Sequence, residues 1–201
     1  MARSNYLSLF KNYCENFNDN FYRGMPKRNL NLIFQLDANQ INARGKDTNI
    51  NKLEIWHNRK IIFLEMSCLA FDEAIYGNKC RSDKADNYTE IFPNVTWVGY
   101  NEFRNIIGNI LFPNGAKKRN DKNDIDVLLI AKLSHATLIT NDHKHILHNA
   151  DSLLSRVGIR VISAEQAVTE IKKCIRYRDR AAMKIAKING LNIPKWVGRD
   201  I

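Results

Sequence analysis

Four carboxylates stand where a folded chain can use them together. Asp37 directly follows the apolar run LNLIFQL, and Asp142 follows TLIT with one residue between. Asp124 opens the segment DIDVLLIAKLS that leads into TLIT, and Glu73 lies in SCLAFDEAIY, after a further apolar run, KIIFL. In an open α/β sheet, ligands bind beyond the carboxyl ends of the strands, so acids that follow two strands reach the same edge. Carboxylates gathered there repel one another and resist ionisation. A divalent cation relieves that repulsion, and an all-oxygen donor set suits Mg²⁺ or Mn²⁺ rather than Zn²⁺. Taken singly, each acid reads as an ordinary cap or solubilising residue. Their shared relation to one edge is what points to chemistry.

The elements that must position these acids follow from the apolar pattern. Short buried strands are expected at 30–36, 60–64, 94–98, 137–140 and 158–162. Between them lie helical patterns: one after the turn at Gly45–Thr48, then 67–76 capped by Ser67 and ended by Gly77, 101–112, 124–134 and one or two short helices over 143–157. A last helix starts after Ser163 and runs to about Lys187. Strands alternating with helices imply parallel pairing, hence a three-layer α/β/α sandwich with a central parallel sheet. Residues 1–29 read as a helical extension that packs on the body or meets a partner, 30–165 as the main domain, and 166–201 as a basic helix and tail docked on it.

The chain has 201 residues and a net charge of +10, enough to bury a core unaided and suited to a polyanionic partner. Basic residues cluster as Arg44 and Lys46 after Asp37, as Lys117, Lys118 and Arg119 before Asp124, and as Lys172, Lys173, Arg176, Arg178, Arg180, Lys184 and Lys187 along the last helix. Trp56, Trp97 and Trp196 are candidates to stack on bases, Trp97 reading rather as core. Cys14, Cys68, Cys80 and Cys174 form no CxxC pair, which favours free thiols in a reducing cytoplasm. No apolar run suggests a signal peptide or a membrane span. The chain lacks a P-loop, a dinucleotide fingerprint and a G-x-S-x-G elbow, and His143, His145 and His148 do not share one helix face.

The segments around the four acids resemble the PIN domain, a metal-dependent nuclease family that includes toxin–antitoxin ribonucleases and RNA-processing factors. LIFQLDAN resembles the family's first strand ending in aspartate, LEMSCLAFDEAIYG its helix glutamate, and DIDVLLIAKLSHATLITND the helix and strand that end in T-x-D. The resemblance covers about residues 30–165 and places the family acids on Asp37, Glu73, Asp124 and Asp142, with Glu65 the rival to Glu73 and Asp126 the rival to Asp124. It departs near His135, where the family often has glycine, and in the extra segments at both ends.

What the resemblance implies is a Mg²⁺- or Mn²⁺-dependent endoribonuclease, with Asp37 and Asp142 as direct ligands and Glu73 and Asp124 completing the shell. Thr140 and Asn141 would support the ligands or merely shape the turn, as would Asn39 and Asn42. RNA is the expected substrate and DNA the alternative, contacted by Lys46, Lys117, Lys118, Arg119, Lys172, Lys173 and Arg176, with Arg44 in support. An antitoxin, another protein or a second copy of the chain would be the protein partner. The rival reading is a catalytically silent nucleic-acid-binding or adaptor module on the same fold.

Overall fold

The computed structural model describes residues 24–41, 45–76, 83–92 and 99–201. The expected strand at 94–98 with Trp97, the residues Asn42, Arg44 and Gly77, and most of the N-terminal extension lie outside them. Of the described residues, Leu32–Ala167 form one compact unit; those up to Asn31 join Val168–Ile201 in a second.

The first unit is a three-layer α/β/α sandwich around a five-stranded parallel sheet. Its strands are β1 (Ile33–Leu36), β2 (Phe63–Ser67), β3 (Thr89–Ile91), β4 (Thr137–Ile139) and β5 (Val161–Ile162). They lie in the order β3-β2-β1-β4-β5. The chain steps outward from β1 through β2 to β3, then returns across the sheet to place β4 on the other side of β1. The winding therefore reverses between β1 and β4, the switch point at which open α/β sheets bind ligands. Phe34 is level with Thr137, and Leu36 with Ile139, so the two strands end side by side.

β3 falls between the expected helix at 67–76 and the expected strand at 94–98, where the sequence suggests no element. Its three residues, Thr89, Glu90 and Ile91, are exposed or half-buried at the sheet edge, so no apolar run announces it. β2 begins at Phe63, later than the expected 60–64, because Lys60 still belongs to the turn that ends the preceding helix.

That helix, α1 (Thr48–Asn58), starts at Asp47, whose carboxylate accepts from the Asn49 and Ile50 amides. It buries Ile50, Leu53 and Trp56, so Trp56 is core and offers no face for stacking. Helix α2 (Cys68–Ile75) is capped by Ser67, as expected. Helices α3 (Tyr100–Leu111) and α4 (Arg119–Leu133) pack on one another within the return crossing, and α5 (Ala150–Val157) precedes β5. α4 begins five residues before Asp124, so that acid does not open its helix. The first turn belongs to Asp121, whose Oδ2 accepts from the Lys117 and Lys118 amides at 2.9 and 3.0 Å.

Three helices hand the chain to a strand through the same device. α1, α4 and α5 end with a residue in the left-handed region: Lys60 at φ 57°, His135 at φ 54° and Gly158 at φ 73°. At each, two amides fold back on the last carbonyls, as in Ala136 N to Ala131 O at 3.0 Å and His135 N to Lys132 O at 3.3 Å. The backbone at His135 is thus one that glycine favours, though the residue is not glycine.

In the second unit, Arg178 and Asp200 are both fully excluded from solvent. They belong to the long helix α6 (Ala164–Asn189) and to the tail. The Arg178 guanidinium donates to Asp179 Oδ1 at 2.7 Å and to Asp200 Oδ2 at 3.0 Å, and also to the Arg28 carbonyl. Arg28 donates to both oxygens of Asp200, and the Trp196 ring lies 4.4 Å from the Arg178 guanidinium carbon. Arg178 is therefore a structural residue, not part of a nucleic-acid surface. Burial alone would raise the Asp200 pKa, but Arg28 and Arg178 overcome it and hold the carboxyl below its usual range.

Two outcomes follow. His135→Gly relieves left-handed strain at an exposed position and should raise stability by about 0.5–1 kcal/mol in urea unfolding, after the extra entropy of glycine in the unfolded chain. Asp200→Asn leaves the buried Arg178 short of one charge and should cost about 3 kcal/mol at neutral pH. Because the folded pKa of Asp200 is depressed, its contribution is present above the unfolded pKa and lost as pH falls through the folded one. The gap between wild type and variant should accordingly close in acid.

Candidate metal and phosphate site at the β1–β4 seam

Asp37 leaves β1 and Asp142 leaves β4, and one hydroxyl joins them. Thr140 is fully buried at the end of β4, and its Oγ1 donates to Asp37 Oδ2 at 2.6 Å. The same oxygen accepts from the Asp142 amide at 3.0 Å. The Asp37 amide donates to Ile139 O at 3.0 Å, which continues the sheet ladder up to the acid itself. Asp142 Oδ1 in turn accepts from the Lys144 and His145 amides, both at 2.9 Å, so its carboxylate folds the following turn around itself.

Asn39 straps the seam from above. Its Nδ2 donates to Asp37 Oδ2 at 2.7 Å and to Thr140 Oγ1 at 3.1 Å, while its Oδ1 accepts from the Asn141 amide at 3.1 Å. Sequence reasoning left Asn39 between supporting a ligand carboxylate and shaping the turn, and its amide supports the Asp37 carboxylate. The available signal was its place two residues after Asp37, where an amide side chain reaches back to a strand-end carboxylate.

The remaining acids join the group through their fields. Asp37 is nine-tenths buried, and burial is the main reason its pKa is raised. The Thr140 hydroxyl and the Ala38 amide partly offset this, and the charges of Glu73 and Asp142 add to it. Asp124, in the second turn of α4, is pushed up to about 7, first by burial and then by Asp37, Asp142, Glu73 and Asp121. Asp37, Glu73, Asp124 and Asp142 therefore lie in one another's fields at the carboxyl edge of the sheet. Among the described residues, no three His, Cys, Asp or Glu side chains stand at ligating geometry. The four acids are near enough to repel and more widely spread than a coordination shell.

The two rivals differ in their surroundings. Asp126 is held by Arg104 through two bonds of 2.7 and 3.1 Å. Glu65 sits in mid-β2, in register with Gln35 of β1, and is 7% exposed. Burial raises its pKa and the Ser134 hydroxyl partly offsets this. Its Oε1 and the Oε1 of Gln35 are buried without hydrogen-bond partners.

Around the acids, Lys117, Lys118 and Arg119 are exposed at the start of α4, and Asn141, His143 and Lys144 on the turn after β4. The His145 ring lies against Phe112, with centroids 5.2 Å apart. Lys46, Lys173 and Arg176 are also exposed, and Lys172 is half-buried. A separate small cleft is lined by Glu54, His57, Asn58, Lys84, Asn87 and Tyr88, and none of the four acids borders it.

No family model matches the chain, and comparison with curated proteins and with solved structures likewise finds no match. No helix among the described residues is long and apolar enough to cross a membrane.

The raised pKa of Asp124 has a direct consequence for stability in metal-free buffer. Between its ordinary value of 3.8 and about 7, the folded chain keeps a proton that the unfolded chain has released. Stability should therefore fall as pH rises through that window and level off above it. Asp124→Asn should flatten the fall, gaining about 1–2 kcal/mol at pH 8 once solvent screening of this part-exposed group is allowed for. Urea unfolding of both proteins across the window, with a chelator present, measures it.

Proposed function

We propose that the sheet unit is a PIN-like, Mg²⁺- or Mn²⁺-dependent endoribonuclease that hydrolyses phosphodiester bonds at the β1–β4 seam. The observation that carries this reading is the placement of Asp37 and Asp142 side by side at the winding switch point, joined by the Thr140 hydroxyl. Asp124 and Glu73 supply the charge that surrounds them.

The donor set fits a hard cation. All four groups offer oxygen, and two of them are held at raised pKa values that a cation would reverse. Asp37 and Asp142 would hold the ion, and Glu73 and Asp124 would close on it or orient its waters. When bound, such an ion polarises a phosphoryl oxygen and acidifies an attacking water. The chain does the rest. Thr140 and Asn39 fix the Asp37 carboxylate from two sides, so it meets a substrate already oriented. The amides of Lys144 and His145 fix Asp142 in the same way. Lys117, Lys118 and Arg119 give exposed positive charge at the start of α4, suited to phosphates flanking the one attacked.

Cleavage of structured RNA, single strands and duplex DNA, each with Mg²⁺, Mn²⁺ or EDTA, tests the reading. Metal-dependent cleavage of RNA is expected from wild type. Asp37→Asn and Asp142→Asn should each reduce it by more than the roughly 10–100-fold typical of residues that only support a ligand. Equal metal-dependent cleavage by wild type and both variants, from matched preparations, would sink it. Binding of nucleic acid without any cleavage would move the chain to the silent binding module.

A further inference from the structure

The burial pattern of α6 sorts its basic residues in a way that the sequence run does not. From Lys173 to the helix end, the buried positions are Cys174, Ile175, Arg178, Asp179, Ala182 and Ala186. Lys173, Arg176, Arg180, Lys184 and Lys187 are all exposed. At 3.6 residues per turn they fall within an arc of about 80° and extend for about 21 Å along the axis. Lys172, at the start of the same run, is half-buried and lies off that arc.

A merely solvated helix face alternates its charges, because acids and bases three or four residues apart attract. This face does not. The only acid from Lys173 to Asn189 is Asp179, which is buried and bonded to Arg178. Lys173, Arg176 and Arg180 make successive like-charge pairs at the spacing where side chains meet, which destabilises a helix. A row of phosphates removes that repulsion. Tyr177 is exposed about 20° beyond one edge of that arc and offers a ring for a base or sugar. The exposed Ile188, Leu191 and Ile193 beyond the ridge are what a membrane surface would use. The cations outnumber them along the face, and the main apolar side of the helix is already buried.

We propose that this exposed face of α6 is a cationic ridge that tracks the sugar–phosphate backbone of a nucleic acid. The ridge shares with the proposed function only its polyanionic partner and uses none of the four acids.

The test is the salt dependence of binding by the full chain. A labelled single-stranded oligonucleotide is titrated in EDTA over a range of salt concentrations, so that cleavage plays no part. Five phosphate contacts predict a log–log slope steeper than or equal to about −3.5 on single strands. Lys173→Gln, Arg176→Gln and Arg180→Gln combined should make the slope shallower by about 2 and weaken binding at least about tenfold at low salt. The control removes Arg59, Lys60 and Arg156, exposed at the other end of the sheet unit's strands. It should change the slope little. Lys173→Arg with Lys184→Arg keeps the charge and should keep the slope, which separates loss of charge from loss of fold. Anionic phosphatidylserine vesicles form the second arm. Equal slope changes in the ridge and control variants, or none in either, overturn the proposal. So does a ridge variant that releases vesicles but still holds the oligonucleotide. Absence of cleavage by the same protein would count against the endoribonuclease alone.

Discussion

Like charges held side by side at one seam are the constraint on which the first unit turns. A parallel sheet whose winding reverses between β1 and β4 brings two strand ends together, and each is followed by an aspartate. Left alone, the two would repel. The Thr140 hydroxyl donates to one carboxylate and accepts from the backbone of the other residue, so the seam closes around a neutral bridge. Every larger feature serves that placement. The return crossing through α3 and α4 puts β4 beside β1, and the packing of α4 on the sheet brings Asp124 into the same field.

The second unit shows what the same kind of side chain does with partners. Asp200 and Asp37 are both buried, yet the carboxyl of Asp200 is held below the ordinary range while that of Asp37 is raised. Two guanidiniums account for the difference. Asp200 is compensated within the chain and stabilises it, whereas Asp37 has only a hydroxyl and amides, with other acids nearby. Buried charge without compensation is unfavourable to the fold.

Much of this placement was readable in the residues. Asp37 follows its apolar run directly and Asp142 follows TLIT with one residue between, so both stand just past the end of a buried strand. The alternation of strands and helices gave the layers and the parallel pairing. Three features were hidden for physical reasons. β3 is a short edge strand without a buried face, so it carries no apolar signature. The first turn of α4 is wholly polar, and its cap comes from Asp121 reaching back rather than from a Ser or Asp ahead of it, so the helix start was placed too late. Asn39 acts across 101 residues of sequence, on Thr140, and no local pattern reports such a contact. The pairing of Arg104 with Asp126 crosses 22 residues and likewise leaves no local pattern.

The bond between Thr140 and Asp37 spans 103 residues, which gives the site a place in time as well as in space. As the chain emerges from the ribosome, β1 and β2 can pair early, with Asp37 still open to water. Thr140 arrives only after the whole return crossing has been made. Closing so long a loop is an entropic cost met late, by contacts that have no local precursor. A nascent or truncated chain therefore carries its first aspartate but not its seam. The four acids come into one another's fields only once β4 has docked, so the order of synthesis sets when the seam can form.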